Sequence, residues 1–176
     1  KTLKSTLVGG LLTIAGLAFS FQASAACDLV STIDGKPLNI KVTPEDSEAA
    51  KTFLETCKNP YNEIFAKDPK ALKKLGRRAY NYNNCTGCHG GKLEGVMAPG
   101  LRKQPEGGQS QWDNQWVYPK NATDKGMFET IAGGTPGKSA KGTMFVWHKQ
   151  LPGHTGDGLT TDEILQAIAY IRTEYA

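Results

Sequence analysis

Cys85-Thr86-Gly87-Cys88-His89 limits what this 176-residue chain can become more than any other stretch. Two thiols lie one turn of chain apart, and an imidazole follows directly. That spacing suits a porphyrin: the thiols add across its two vinyl groups, and the adjacent His offers a ring nitrogen to the iron as proximal ligand. Two other chemistries use paired cysteines. A redox dithiol needs no following His and favours a strand-to-helix junction. A four-thiolate zinc site needs a second close pair, and the remaining cysteines, Cys27 and Cys57, are thirty residues apart. The motif therefore predicts one covalent haem c, bound by Cys85 and Cys88 and ligated by His89. Such a chain must wrap a large apolar disc.

The first 25 residues do not read as fold. Lys1 and Lys4 form a basic head, Leu7 to Phe19 an apolar run, and Ala23-Ser24-Ala25 a peptidase site. The run is short for a bilayer span, so the order predicts a signal peptide over 1–25 cleaved near Ala25, with an uncleaved anchor as the alternative. Lipid attachment at Cys27 is disfavoured, because Ser24-Ala25-Ala26 lacks the usual leucine. No second membrane-spanning candidate follows. About 150 residues remain, enough for one domain with one core. Two of the 21 basic residues and none of the 17 acidic ones lie in the leader, so the formal charge beyond it is only about +2. The chain's basic balance is thus no argument for binding nucleic acid. Export implies an oxidising compartment, where a Cys27–Cys57 disulfide would persist and contribute about 3 kcal/mol; two free thiols are the alternative.

The rest of the pattern is helical. Residues 26–43 predict a small β-hairpin, from the alternation of Leu38, Ile40 and Val42 and the turn Asp34-Gly35. A helix is expected over 45–58, opened by Pro44 and carrying Ala50, Phe53 and Leu54 on one face. Asp68-Pro69 caps another, whose Leu72, Leu75, Ala79 and Tyr82 lead directly into Cys85. Residues 90–122 read as an irregular loop rich in Gly, Pro, Asn and Gln. A helix over 124–132 is capped by Thr123 and stopped by Gly133-Gly134. After a loop over 134–158, Thr160 and Glu163 form a capping box before the stripe Ile164, Leu165, Ile168 and Ile171.

The sixth iron position separates electron transfer from ligand chemistry. Methionine is the usual second axial partner in electron carriers, and it raises the potential. Met127 sits beside Phe128 and Ile131 on a helix face and reads as core; Met97 lies only eight residues past His89, too near to reach the other haem face. Met144, in a Gly-rich loop, is the expected distal ligand. His148 is its rival, and an open position is the third possibility. A backbone carbonyl at Pro99 is expected to accept the other N–H of His89, with ordinary loop punctuation as the alternative. Trp112, Trp116 and Trp147 are candidates for the haem surround, either as packing faces or through an indole N–H to a propionate. Lys67, Lys70, Lys73, Lys74, Arg77 and Arg78 gather on one segment, either to meet an acidic partner or as a solvated helix face.

The order of these features resembles the class I cytochrome c family: a helix, Cys85–His89, Pro99-Gly100-Leu101, a helix ending in Gly-Gly, the Met144 loop, and a final helix with Tyr170. The resemblance implies an all-α, cytochrome c-like globule around one covalent haem, with 67–176 as the cytochrome c domain and 26–66 as an N-terminal extension. Members usually carry a small residue and an aromatic eight and four residues before the first Cys. Here Gly76 and Tyr80 stand nine and five before it, which calls for an extra residue between Tyr80 and Asn84. A narrower match, through Asp34-Gly35-Lys36-Pro37-Leu38, Phe53 to Thr56, Asn59 to Asn62 and Tyr118 to Asp124, is similar to cytochrome c-L. That family accepts electrons from periplasmic methanol dehydrogenases carrying pyrroloquinoline quinone, some calcium-dependent and some lanthanide-dependent. The resemblance implies a monomeric periplasmic carrier that takes one electron at a time from such an enzyme, passes it to a smaller cytochrome c and catalyses nothing itself. Another quinoprotein alcohol dehydrogenase as donor, or a haem enzyme or gas sensor with an open distal site, are the alternatives. Whether a calcium ion sits near the haem is open.

Overall fold

The computed structural model describes residues 26–101, 123–136 and 143–174. Among the described residues seven α-helices follow one another: α1 Glu48–Thr56, α2 Tyr61–Lys67, α3 Pro69–Ala71, α4 Arg77–Tyr82, α5 Cys85–His89, α6 Asp124–Gly133 and α7 Thr161–Glu174. The carboxy-terminal α7 is the hub, and α1, α2, α4 and α6 all pack on it. Its stripe explains why: Ile164, Leu165 and Ile168 have no exposed surface. The expected capping box starts it, with Thr160 N donating to Glu163 Oε2 at 2.9 Å and Glu163 N to Thr160 Oγ1 at 3.2 Å. Asp68 and Thr123 cap α3 and α6 as expected.

Two starts differ from the pattern. Helix α1 begins at Glu48, because the Ser47 hydroxyl accepts from Ala49 N and Ala50 N. Asp46, expected inside the helix, instead ties the preceding turn by accepting from Thr43 N at 2.6 Å. The hairpin shrinks to a single antiparallel bridge, Val30 to Pro37, and no strand forms among the described residues. Pro37 has no N–H to extend the ladder, and the Val30 N–H is taken by the buried Glu129 carboxylate at 2.8 Å. Cys27 and Cys57 form a disulfide with Cα atoms 5.1 Å apart. Phe53 of α1 meets Phe128 of α6, ring centroids 4.6 Å apart, so the extension and the remainder share one core.

The helix entering the Cys85 motif is not uniform. Between α3 and α4, Leu72–Gly76 widens into one π-helical turn, closed by Arg77 N on the Leu72 carbonyl. Gly76, the last residue of that turn, and Tyr80 beyond it both face α7. A Cβ on Gly76 would lie 2.7 Å from Phe65 and 3.0 Å from Tyr170 Cβ, and the Tyr80 and Tyr170 rings are 5.4 Å apart. The extra residue before Cys85 is absorbed after Tyr82, where Asn83 leaves the helix and Asn84 takes a left-handed conformation with φ 59°. The Gly76 crossing is stringent: Gly76→Ala is expected to lower stability by about 1–3 kcal/mol, read as a lower denaturant midpoint at unchanged slope.

Candidate haem site

Helix α5 presents both thiols and the imidazole within one and a half turns. The loop after it folds back underneath. Val96 N and Ala98 N both donate to the Cys88 carbonyl, at 3.1 and 2.9 Å, and Gly95 N donates to the His89 carbonyl at 2.8 Å. The return is tight enough that a Cβ on Gly95 (φ +83°) would lie 2.5 Å from Gly100 N. Leu93 takes φ 58° without being glycine; full burial of its side chain and a bond from Leu101 N to its carbonyl hold it there. Tyr80 Oη donates to the Gly90 carbonyl at 2.9 Å and holds the residue that caps the C-terminal end of α5.

This loop brings the Pro99 carbonyl 2.9 Å from His89 Nδ1. A carbonyl only accepts, so Nδ1 carries the proton and Nε2 keeps its lone pair, the tautomer a metal ligand requires. Burial also lowers the His89 pKa, opposed by that bond to Pro99. Burial pushes the Cys85 thiol up to about 12, so it is not a thiolate at neutral pH. A redox nucleophile or a zinc ligand needs the opposite shift. Neither Cys85 nor Cys88 is disulfide-bonded. Val96, Met97 and Phe145, on the loops that carry Pro99 and Met144, leave 69, 68 and 61% of their surface exposed. They offer apolar faces that a flat apolar group could cover. Two unbonded thiols, one ring nitrogen with a free lone pair and these apolar faces fit a covalent porphyrin.

The three methionines sort cleanly. Met127 is buried in the core and Met97 is exposed beside Cys88. Met144 is half-buried and pinned at its backbone by one residue: its N–H donates to Thr135 Oγ1 and its carbonyl accepts from Thr135 N, both at 3.0 Å. Spacing along the chain did not reveal that tether. His148 is fully buried, and both its nitrogens are engaged. Nδ1 accepts from Gln150 N at 3.2 Å, so Nε2 carries the proton and donates to Thr161 Oγ1 at 3.1 Å. No lone pair remains for iron. Trp147 packs against the core, while Trp112 and Trp116 lie outside the described residues. Among the described residues no group of three or more His, Cys, Asp or Glu could hold a separate metal ion.

The cytochrome c family model matches residues 74–174. Cytochrome c-L of Methylorubrum extorquens is 36% identical over 173 aligned positions, covering 93% of this chain and 73% of the relative. This chain belongs to the cytochrome c family, among the cytochromes c-L. Two solved structures agree. Cytochrome cL from the marine methylotroph Methylophaga aminisulfidivorans aligns with TM-score 0.58 at 34% identity, over 84% of this chain and 79% of that one. Cytochrome cL from Hyphomicrobium denitrificans gives 0.58 at 35%, over 84% and 73%. Membership makes this cytochrome a haem c electron carrier.

All six basic side chains on the segment before α5 are exposed. Lys67 pairs with Glu63 at 3.3 Å, and Arg78 stacks over Tyr82 at 5.3 Å. No described helix of this cytochrome is long and apolar enough to cross a membrane. His148 gives the fold a pH signature. Burial depresses its pKa from 6.5 to about 4, so the unfolded chain binds the proton more readily. Its contribution, about 3 kcal/mol at most, is complete above pH 6.5 and is lost as pH falls towards 4. The slope of unfolding free energy against pH in that window should flatten in His148→Gln.

Proposed function

We propose that this cytochrome is exported to the periplasm, accepts single electrons from a methanol dehydrogenase carrying pyrroloquinoline quinone, and passes them to a smaller cytochrome c. The observation that carries the proposal is the reach of the similarity. The cytochrome c family match begins at residue 74, yet the relation to cytochrome c-L covers 93% of the chain and so runs through the extension as well. A surface shared at that extent is where donor choice resides, because the haem scaffold serves many donors.

Bound covalently at Cys85 and Cys88, a haem supplies a reversible one-electron change at its iron. The chain does the rest. Helix α5 anchors the group at two points, and Pro99 fixes the His89 ring with Nε2 available. Met144, held by Thr135, is the sixth ligand in this reading. His148 is withdrawn into the core by its two hydrogen bonds. Small, transient, charge-steered contacts then suffice for exchange. The test is stopped-flow mixing of oxidised cytochrome, shown by mass to carry one haem, with methanol dehydrogenase and methanol. Fast reduction that requires both enzyme and methanol is expected. A cytochrome left oxidised under those conditions has a different donor.

A further inference from the structure

The extension touches both described stretches that flank Met144, a contact the carrier function above does not use. On the near side, Thr32 Oγ1 donates to the Gly134 carbonyl at 2.5 Å, and Leu38 packs 3.3 Å from where a Gly133 Cβ would stand. The next residue, Thr135, holds the Met144 backbone twice, its Oγ1 accepting from Met144 N and its N–H donating to the Met144 carbonyl. The two strands of chain run in contact, since a Cβ on Gly134 would lie 2.6 Å from the Met144 carbonyl oxygen. On the far side, Gln150 bonds Lys41 twice: its Oε1 accepts from Lys41 N at 2.9 Å and its Nε2 donates to the Lys41 carbonyl at 2.8 Å. One short segment, 32–41, therefore grips the chain on both sides of Met144.

We infer that this segment is a strap that positions Met144, with Thr32 and Gln150 as its positioning residues, and that it sets how often the sulfur leaves the iron. The inference rests on the reading of Met144 as sixth ligand. A ligand carried on loop backbone departs when the loop opens, and each tether that must break first makes opening rarer. The strap is itself anchored, by the Cys27–Cys57 disulfide and by Val30 N on Glu129. Its grip thus passes to the loop instead of fraying with the chain end.

Cyanide tests this on the oxidised holoprotein. At saturating cyanide the observed rate is the rate at which the sulfur–iron bond opens. Thr32→Val should raise that rate about fivefold, the effect of one hydrogen bond of ordinary net strength, and Gln150→Ala, which removes two, by at least as much. The double variant should show roughly the product. Gly76→Ala, which loosens the fold away from the strap, is the control and should leave the rate unchanged. Equal rates in wild type and both strap variants would overturn the inference, as would an equal acceleration in Gly76→Ala. The sulfur-to-iron absorption band of the wild type is recorded first. Its absence defeats the Met144 assignment and the strap together, whereas its presence with unmoved rates defeats the strap alone.

Discussion

Met144→Ala is expected to abolish the weak sulfur-to-iron band of the oxidised protein, to open the iron to cyanide without a lag and to lower the reduction potential. Thioether sulfur is a weak donor that favours the reduced iron, so its loss stabilises the oxidised state. A fall on the order of 0.1–0.3 V is expected, within the span of about 0.8 V that axial ligation commands. The other sulfurs provide the contrast. Met97→Ala alters an exposed side chain and should leave band and potential in place. Met127→Ala empties a buried core position; about 2–5 kcal/mol of stability should go while the band stays. His148 cannot substitute, because both its nitrogens are engaged within the core. Spectra and voltammetry of the three methionine variants decide the assignment, and an unchanged band in Met144→Ala would refute it.

The second large effect concerns the disulfide. Cys27 and Cys57 close a loop across a sequence separation of 30. In the chain-entropy account, removing that crosslink costs about 3–4 kcal/mol, mostly by freeing the unfolded ensemble. For a chain of this size the thermal midpoint of the Cys27→Ser/Cys57→Ser double variant should fall by about 10 °C. Mild reductant should reproduce the loss in the wild type and leave the variant unaffected, because thioethers resist thiol exchange. A variant that melts with the wild type would show that packing of Phe53 on Phe128 already holds the extension.

Much of this architecture was legible from local chemistry. A capping box such as Thr160 with Glu163 needs only two side chains at fixed spacing, and Asp68-Pro69 and Thr123 act at equally short range. What escaped was decided by partners far along the chain. Helix α2 is only seven residues long, too short to show a period; it is held by Asn59, which accepts from Tyr61 N and donates to the Leu165 carbonyl. Helix α1 is capped by Ser47, whose N–H and hydroxyl both bond Asp162. The π-helical turn at Leu72–Gly76 has no composition of its own. The expected hairpin lost its ladder to Glu129, a competitor 99 residues away. At the site, the Pro99 carbonyl meets His89 as the sequence predicted, and the roles assigned to Cys85, Cys88, His89 and Met144 stand as the proposal. Thr135 could not be foreseen, because its hold on Met144 depends on how two loops pass each other.

The division of the four cysteines also bears on how the chain would mature under the proposed function. On the proposed export, a polypeptide threaded amino-end first into an oxidising space would expose Cys27 and Cys57 before Cys85 and Cys88. Once the early pair has closed, the only thiols left are the two on α5. Neighbouring sulfurs that could scramble with them have been retired. The vinyl groups of an incoming porphyrin would then find only this pair of thiols, beside His89.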